Sequence, residues 1–198
     1  MKTQFTQSVL GWGTIFSLSL IIILSSCTGA KEKSQEEATK VEEALVKAPT
    51  MDIHTATVLG DLDVIKQHIA AGTDLDEKEP TVGSSPLISA AVFGKTEIAR
   101  ALIEGGADVN LQNNEGSTAL HTAAFLCRVE IVELLLGNGI DKSLLNNYGS
   151  TARQSLLAPF EDVKPIYDVF SKDLGPLGLK LDYAYLEATR PIIAELLK

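Results

Sequence analysis

The nine residues Gly116-Ser117-Thr118-Ala119-Leu120-His121-Thr122-Ala123-Ala124 decide how the chain beyond residue 52 folds. A hydroxyl residue directly before an apolar run is a helix start signal, because its oxygen accepts a backbone N–H that the first turn leaves unbonded. Two successive alanines further on let a neighbouring helix come close. Working outward, the pattern returns. Gly83-Ser84-Ser85-Pro86-Leu87-Ile88-Ser89-Ala90-Ala91 is an earlier copy, and Gly149-Ser150-Thr151-Ala152 opens a later one, so Gly83, Gly116 and Gly149 are evenly spaced. Ala56-Thr57 stands at nearly the same step before Ala90-Ala91, and Gly72, Gly106 and Gly139 keep that step as well. The period is about 33 residues, within the range of helical repeat proteins. Each unit then carries an apolar ladder: Val64-Ile65-Ile69, Ile98-Ala99-Leu102-Ile103, and Ile131-Val132-Leu134-Leu135-Leu136. So many coincident offsets mark an internal repeat.

A unit of this length cannot bury its apolar face alone, so about three stacked copies are needed to share a core. A glycine after the second helix supplies the left-handed residue that ends it, and the Asp and Asn beyond suit a turn. Period and residues together resemble the ankyrin repeat. Gly106-Ala107-Asp108-Val109-Asn110 matches that family's closing segment outright, and Gly72-Thr73-Asp74-Leu75-Asp76 matches it loosely. The resemblance covers about residues 52–157, as units 52–82, 83–115 and 116–148 with a degenerate fourth from 149. It implies an all-α solenoid of helix-turn-helix units with hairpin-like loops. It also implies structural roles for Thr118 as a helix cap, His121 as a bridge between backbone and hydroxyl groups of neighbouring loops, and Gly106 as a turn residue. His54 holds the same place in the first unit. His68, on that unit's second helix, is expected on the polar side without a partner.

The fourth copy departs from the pattern. Leu156-Leu157 replaces the alanine pair and Pro159 follows. Val163, Ile166, Tyr167 and Phe170 then lie at helical spacing until Leu174-Gly175-Pro176 breaks the run. Asp182 suits a further cap, and Arg190-Pro191 is expected to start a last helix, Ile192 to Leu197. Residues 158–198 read as the atypical end unit that a solenoid needs, with a separate functional module as the alternative.

The chain has 198 residues, 26 acids against 17 bases, formal charge −9 and two cysteines. Such a charge balance argues against unassisted binding to nucleic-acid backbone as the main job. Two cysteines make no disulfide scaffold, and no Cys/His spacing suits zinc. Before Lys31 the only charge is Lys2, followed by an apolar stretch from Val9 to Leu24. That is the layout of a secretion signal. Its end, Leu24-Ser25-Ser26-Cys27, resembles a bacterial lipobox, which implies cleavage between Ser26 and Cys27 and lipid on Cys27. Residues 1–26 are then the signal peptide, and Trp12, the one tryptophan, leaves with it. An uncleaved membrane helix is disfavoured by Gly11, Gly13, Thr14 and several serines in a stretch barely long enough to span. An ordinary signal leaving a free Cys27 is the other alternative. Residues 27–51 read as the lipidated start and a charged linker. Part of the linker suits a helix from Ser34, with Glu37 at capping-box spacing and Pro49 ending it.

Catalytic chemistry is not legible. No G-x-S-x-G elbow and no phosphate-binding G-x-x-x-x-G-K-[ST] loop is present. Cys127 falls where the other units have Gly60 and Gly94, as a small thiol in a turn. Asp61/Asp63 and Asp74/Asp76 read as solvated turn residues rather than a calcium site. No cofactor or metal is expected. What remains is surface: the resemblance implies that partners meet loop tips and the concave side of the first helices. Carried over by position, the concave residues are Val58-Leu59, Val92-Phe93 and Phe125-Leu126. The tips are Thr81, Val82 and Ser84, then Asn114, Glu115 and Ser117, then Asn147, Tyr148 and Ser150. An apolar stripe rimmed by polar groups suggests a protein-binding patch, unless those side chains fold inward and seal the helix layer.

The expectation is a monomeric, non-catalytic scaffold that binds a partner protein and is held by lipid at a bacterial envelope membrane. Thr28 after the cysteine favours the outer membrane facing the periplasm. Two other functions stay open: a chaperone-like accessory of a secreted enzyme or toxin, and a small enzyme using Asp168, Asp182 and Arg190.

Overall fold

A computed structural model describes residues 47–198. Lys2, the apolar stretch, Cys27 and the suggested linker helix lie outside the described residues. Three helix pairs follow one another: α1 (Ile53–Leu59) with α2 (Leu62–Ala70), α3 (Pro86–Phe93) with α4 (Thr96–Glu104), and α5 (Ala119–Phe125) with α6 (Val129–Gly137). A short 3-10 turn, Gln154–Leu156, precedes α7 (Phe160–Leu174) and α8 (Tyr183–Leu196). No strand occurs among the described residues, and no helix among them is long and apolar enough to cross a membrane.

The repeat is built by local chemistry. Asp52, Ser85 and Thr118 cap the first helices, each accepting the N–H three positions on, from Thr55, Ile88 and His121. Gly60 (φ 87°) and Gly94 (φ 64°) end α1 and α3 in the left-handed conformation. Cys127 adopts it too, at φ 55°, which is rare for a residue with a Cβ. First helices pack on first helices and second helices on second helices, giving two layers. Ala56, Ala90, Ala91, Ala123 and Ala124 are wholly buried where helices touch, and Ile65, Leu102 and Leu135 fill the space between the layers. Burying each such branched side chain is worth about 1.5–3 kcal/mol.

Turn residues tie the units together. Asp74, Asp108 and Asp141 each accept the N–H two positions on, at 2.8–2.9 Å. Asp76 then accepts Asp108 N–H, and Asn110 accepts Asp141 N–H, from one unit to the next. At the fingertips, Asn114 N–H donates to the Val82 carbonyl and Asn147 N–H to the Glu115 carbonyl. In units two and three an asparagine, Asn113 or Asn146, shapes the tip by accepting two N–H groups. Unit one uses Glu79 instead, accepting from Thr81 (2.6 Å), Val82 (2.8 Å) and Ser84 (3.1 Å). Burial works against its charge, but the three N–H groups outweigh that and hold its carboxyl below the usual range.

The fourth unit starts correctly and stops. Thr151 and Gln154 exchange the two hydrogen bonds of a capping box. Only a 3-10 turn follows, because Pro159 pushes the residue before it away from helix. The chain beyond, here the end unit, packs against unit three. Tyr167, fully buried, stacks on Phe125 (4.5 Å between rings) and donates its hydroxyl to the Phe125 carbonyl at 2.7 Å. Arg190, 3% exposed, donates to the Tyr167 hydroxyl at 2.9 Å and to the carbonyls of Leu156 and Ala158 at 3.1 Å.

One helix boundary differs from the sequence expectation. Arg190-Pro191 does not start a helix; Pro191 lies inside α8. Leu186, Thr189, Arg190, Ile193 and Ala194 are buried on both sides of it, so packing holds the two halves as one. The carbonyl that Pro191 cannot bond, on exposed Glu187, is on the outward side.

Candidate interaction surface

His121 Nδ1 lies 2.9 Å from Thr118 Oγ1 and its Nε2 3.1 Å from the Ser150 carbonyl, so the imidazole ties unit three to the fourth. Burial lowers its pKa below the usual 6.5, while the Ser150 carbonyl opposes the shift. Gly106 adopts φ 97° after α4.

The other two histidines differ from expectation. Both ring nitrogens of His54 are buried without a partner. α1 starts one residue later relative to its alanine, so Asp52 caps Thr55 and no hydroxyl reaches the imidazole. His68 is not on a polar side: it is 4% exposed, with Nε2 2.9 Å from the Met51 carbonyl and Nδ1 3.1 Å from Thr73 Oγ1. Spacing alone could not show this, because Met51 precedes the first helix. Among the described residues no three His, Cys, Asp or Glu side chains form a metal-binding group. Asp61 caps α2, and Asp74 and Asp76 accept backbone N–H groups. Burial pushes the Cys127 thiol up to about 11, where it is a poor nucleophile at neutral pH.

The expected apolar stripe is interrupted. Leu59 is 65% exposed, and Val58, Val92 and Phe93 are half-buried. Leu126, expected on the open face, is 1% exposed, and Phe125 stacks on Tyr167 with Phe170 tilted against it. The end unit covers Phe125 and Leu126 is buried, so the open part of the stripe runs over units one and two. The fingertips are more open. Asn114, Glu115 and Asn147 are exposed, Tyr148 is 75% exposed and Ser117 half-buried. Val82 is exposed as well, whereas Ser84 is buried. Val82, Glu115 and Tyr148 occupy the same tip position in successive units.

Two residues of this surface escape the motif comparison. A Cβ placed on Gly60 would meet Lys95 Nζ at 3.0 Å, and one on Gly94 would meet Arg128 Nε at 3.2 Å. Each cation is thus laid across the glycine ending the preceding unit's first helix, where unbonded carbonyls carry partial negative charge. Arg128 donates from Nη2 to the Val92 carbonyl at 3.1 Å, while its Nε is buried without an acceptor. Burial lowers the Arg128 pKa. The available signal was two bases one repeat period apart, each directly after the left-handed residue.

The residues weighed for catalysis do not converge. Asp168, exposed, accepts the Tyr183 hydroxyl at 2.8 Å, Asp182 caps α8, and Arg190 points into the interior.

Comparison with known proteins agrees with this geometry. Residues 53–146 match the family model "Ankyrin repeats" in 3 copies. Human "DNA-binding protein RFXANK" is 38% identical over 66 residues, which is 33% of this chain and 25% of that protein. Chicken "Inversin" is 36% identical over 59 residues, 30% of this chain and 5% of that protein. The chain therefore spans a quarter or less of the curated relatives it matches. Among solved structures, the ankyrin repeat domain of Bcl-3, titled "a unique member of the IkappaB protein family", superposes with TM-score 0.51 at 30% identity. That alignment covers 52% of this chain and 45% of the other. Helix pairs, caps, closing turns and relatives converge on one statement: residues 53–146 are ankyrin repeats.

Proposed function

We propose that this protein is a non-catalytic, monomeric scaffold, tethered by lipid on Cys27 to a bacterial envelope membrane, that binds a partner protein through its ankyrin surface. The observation that carries the binding part is the exposed fingertip row Val82, Glu115 and Tyr148, together with exposed Leu59 and half-buried Phe93. Aromatic and aliphatic side chains held out on rigid turns are what protein interfaces use as anchors. The tether is supported by the sequence Leu24-Ser25-Ser26-Cys27 after an apolar stretch. Two or three acyl chains, at about 0.8 kcal/mol per buried methylene, would hold the chain firmly. The name of the human relative speaks of DNA binding; with 26 acids against 17 bases here, we assign no nucleic-acid role.

A photo-crosslinking residue in place of Tyr148, activated in intact cells, tests the binding part. A discrete adduct lost with Val82→Asp is the expected outcome, and absence of any adduct would overturn it. For the tether, Cys27→Ala is expected to lose labelled fatty acid and leave the membrane fraction. Retention of label or of membrane association would refute it.

A further inference from the structure

Lys95 and Arg128 share one repeat position and one unusual setting. The chain as a whole is acidic. Yet the ion pairs among the described residues are Arg100–Glu97 and Lys198–Glu195, so neither of these two bases has a carboxylate within reach there. Each lies over a glycine whose preceding residue is apolar: Leu59 before Gly60, Phe93 before Gly94. Leu59 is the most exposed apolar residue of the first helices. The helix-end carbonyls account for part of what the cations do, since Arg128 bonds Val92. They leave over Lys95 Nζ, which makes no hydrogen bond among the described residues, and Arg128 Nε, buried without an acceptor. The crevice beside Arg128 is lined by Gly94, Thr96, Cys127, Val129, Glu130 and Tyr185. Glu130, its one acid, is bonded by the Thr96 hydroxyl. A buried cationic N–H without an acceptor is costly, and a carboxylate is its strongest complement.

We propose that the edge of the first-helix layer formed by Leu59, Phe93, Lys95 and Arg128 receives a partner segment presenting a carboxylate beside an apolar side chain. The apolar side chain covers Leu59 and Phe93, and the carboxylate accepts from Lys95, with the Arg128 guanidinium one unit on adding positive charge. The apolar side of the site stops at unit two because Tyr167 of the end unit stacks on Phe125 and Leu126 is buried. This rests on the scaffold reading above and names the chemistry of its partner.

Selection of phage-displayed random dodecapeptides on the full chain, purified in detergent, supplies the probe. Selected peptides are then made with a dye and titrated by fluorescence anisotropy. Asp or Glu next to Leu, Ile or Phe is expected to be enriched. Leu59→Glu is expected to weaken binding at least tenfold, and Lys95→Gln several-fold. Amidating the peptide's acid should add little to Lys95→Gln. Lys95 is half-exposed and unbonded, so its variant keeps the fold, which circular dichroism verifies. Selected peptides without an acid, or binding unmoved by Lys95→Gln and Leu59→Glu, overturn the proposal. Where such peptides are lost with Val82→Asp and Tyr148→Ala, the scaffold reading stands while the groove falls. Failure of the parent chain to bind any selected peptide also overturns the groove, and the Tyr148 crosslink then judges the scaffold separately.

Discussion

Replacing Arg190 by Met should loosen the end of the stack. The guanidinium makes three short bonds, to Tyr167 Oη at 2.9 Å and to the Leu156 and Ala158 carbonyls at 3.1 Å. A fourth contact, to the Ser155 carbonyl, is long at 3.4 Å, and the Phe125 ring lies 5.9 Å away. Each buried acceptor left empty costs about 1–3 kcal/mol, so Tyr167 Oη and the Leu156 carbonyl amount to roughly 2–6 kcal/mol, and the part-buried Ala158 carbonyl adds less. Against this stands the desolvation of a cation with no carboxylate beside it, an offset of several kcal/mol that methionine removes. Methionine also fills most of the vacated volume. The balance is a loss of about 2–4 kcal/mol. For a domain of this size each kcal/mol moves Tm by about 2–4 °C, so a fall of roughly 5–15 °C is expected. Thermal unfolding followed by far-ultraviolet circular dichroism measures it, with Arg190→Lys between the two because an ammonium cannot span the same acceptors. A Tm for Arg190→Met within about 2 °C of the parent would refute the reasoning, showing that those carbonyls hold without the guanidinium.

Two further outcomes follow from the repeat itself. The folded His121 pKa is lowered, so the unfolded chain binds its proton more readily. Its contribution is complete above the unfolded value near 6.5 and is lost as pH falls through and below it. Tm should therefore drop from pH 7 to pH 5, less so in His121→Gln, and equal slopes would contradict the assignment. Phe125→Glu should unfold the end of the stack, since the carboxylate would enter the stacked rings, whereas Leu59→Glu should leave Tm unchanged. Equal behaviour of the two variants would mean that the end unit does not seal unit three.

The repeat was legible because its signals are local. Thr118 caps because a hydroxyl precedes an apolar run, and Gly94 ends α3 because glycine tolerates φ 64°, both decided within one turn of chain. Cys127 could be placed in a turn only by analogy with Gly60 and Gly94, yet it holds the same left-handed backbone. The misplacements arise where distant packing decides. Pro191 looks like a first-turn proline, but Leu186 and Ile193 anchor the helix on either side of it. His68 finds its partner in Met51, beyond the start of the first helix, and Phe125 is covered by a helix that shares no motif with the repeat. Of the candidate surface, fingertip exposure follows from turn position, while the seats of Lys95 and Arg128 required knowing what lies across each glycine.

The Glu79 fingertip gives the stack a direction. In units two and three the N–H of Asn114 and Asn147 reaches back to the preceding tip. The corresponding N–H in unit one belongs to Thr81, and Glu79 already occupies it at 2.6 Å. At the opposite end no N–H of the described residues reaches the Tyr148 carbonyl. The row of fingers therefore behaves as a short filament with one sealed terminus and one open terminus. A second copy approaching the open end brings a first finger whose donor is already spent. Elongation from copy to copy through this backbone bond is unrewarded, and the exposed acceptor is left to water or to another donor.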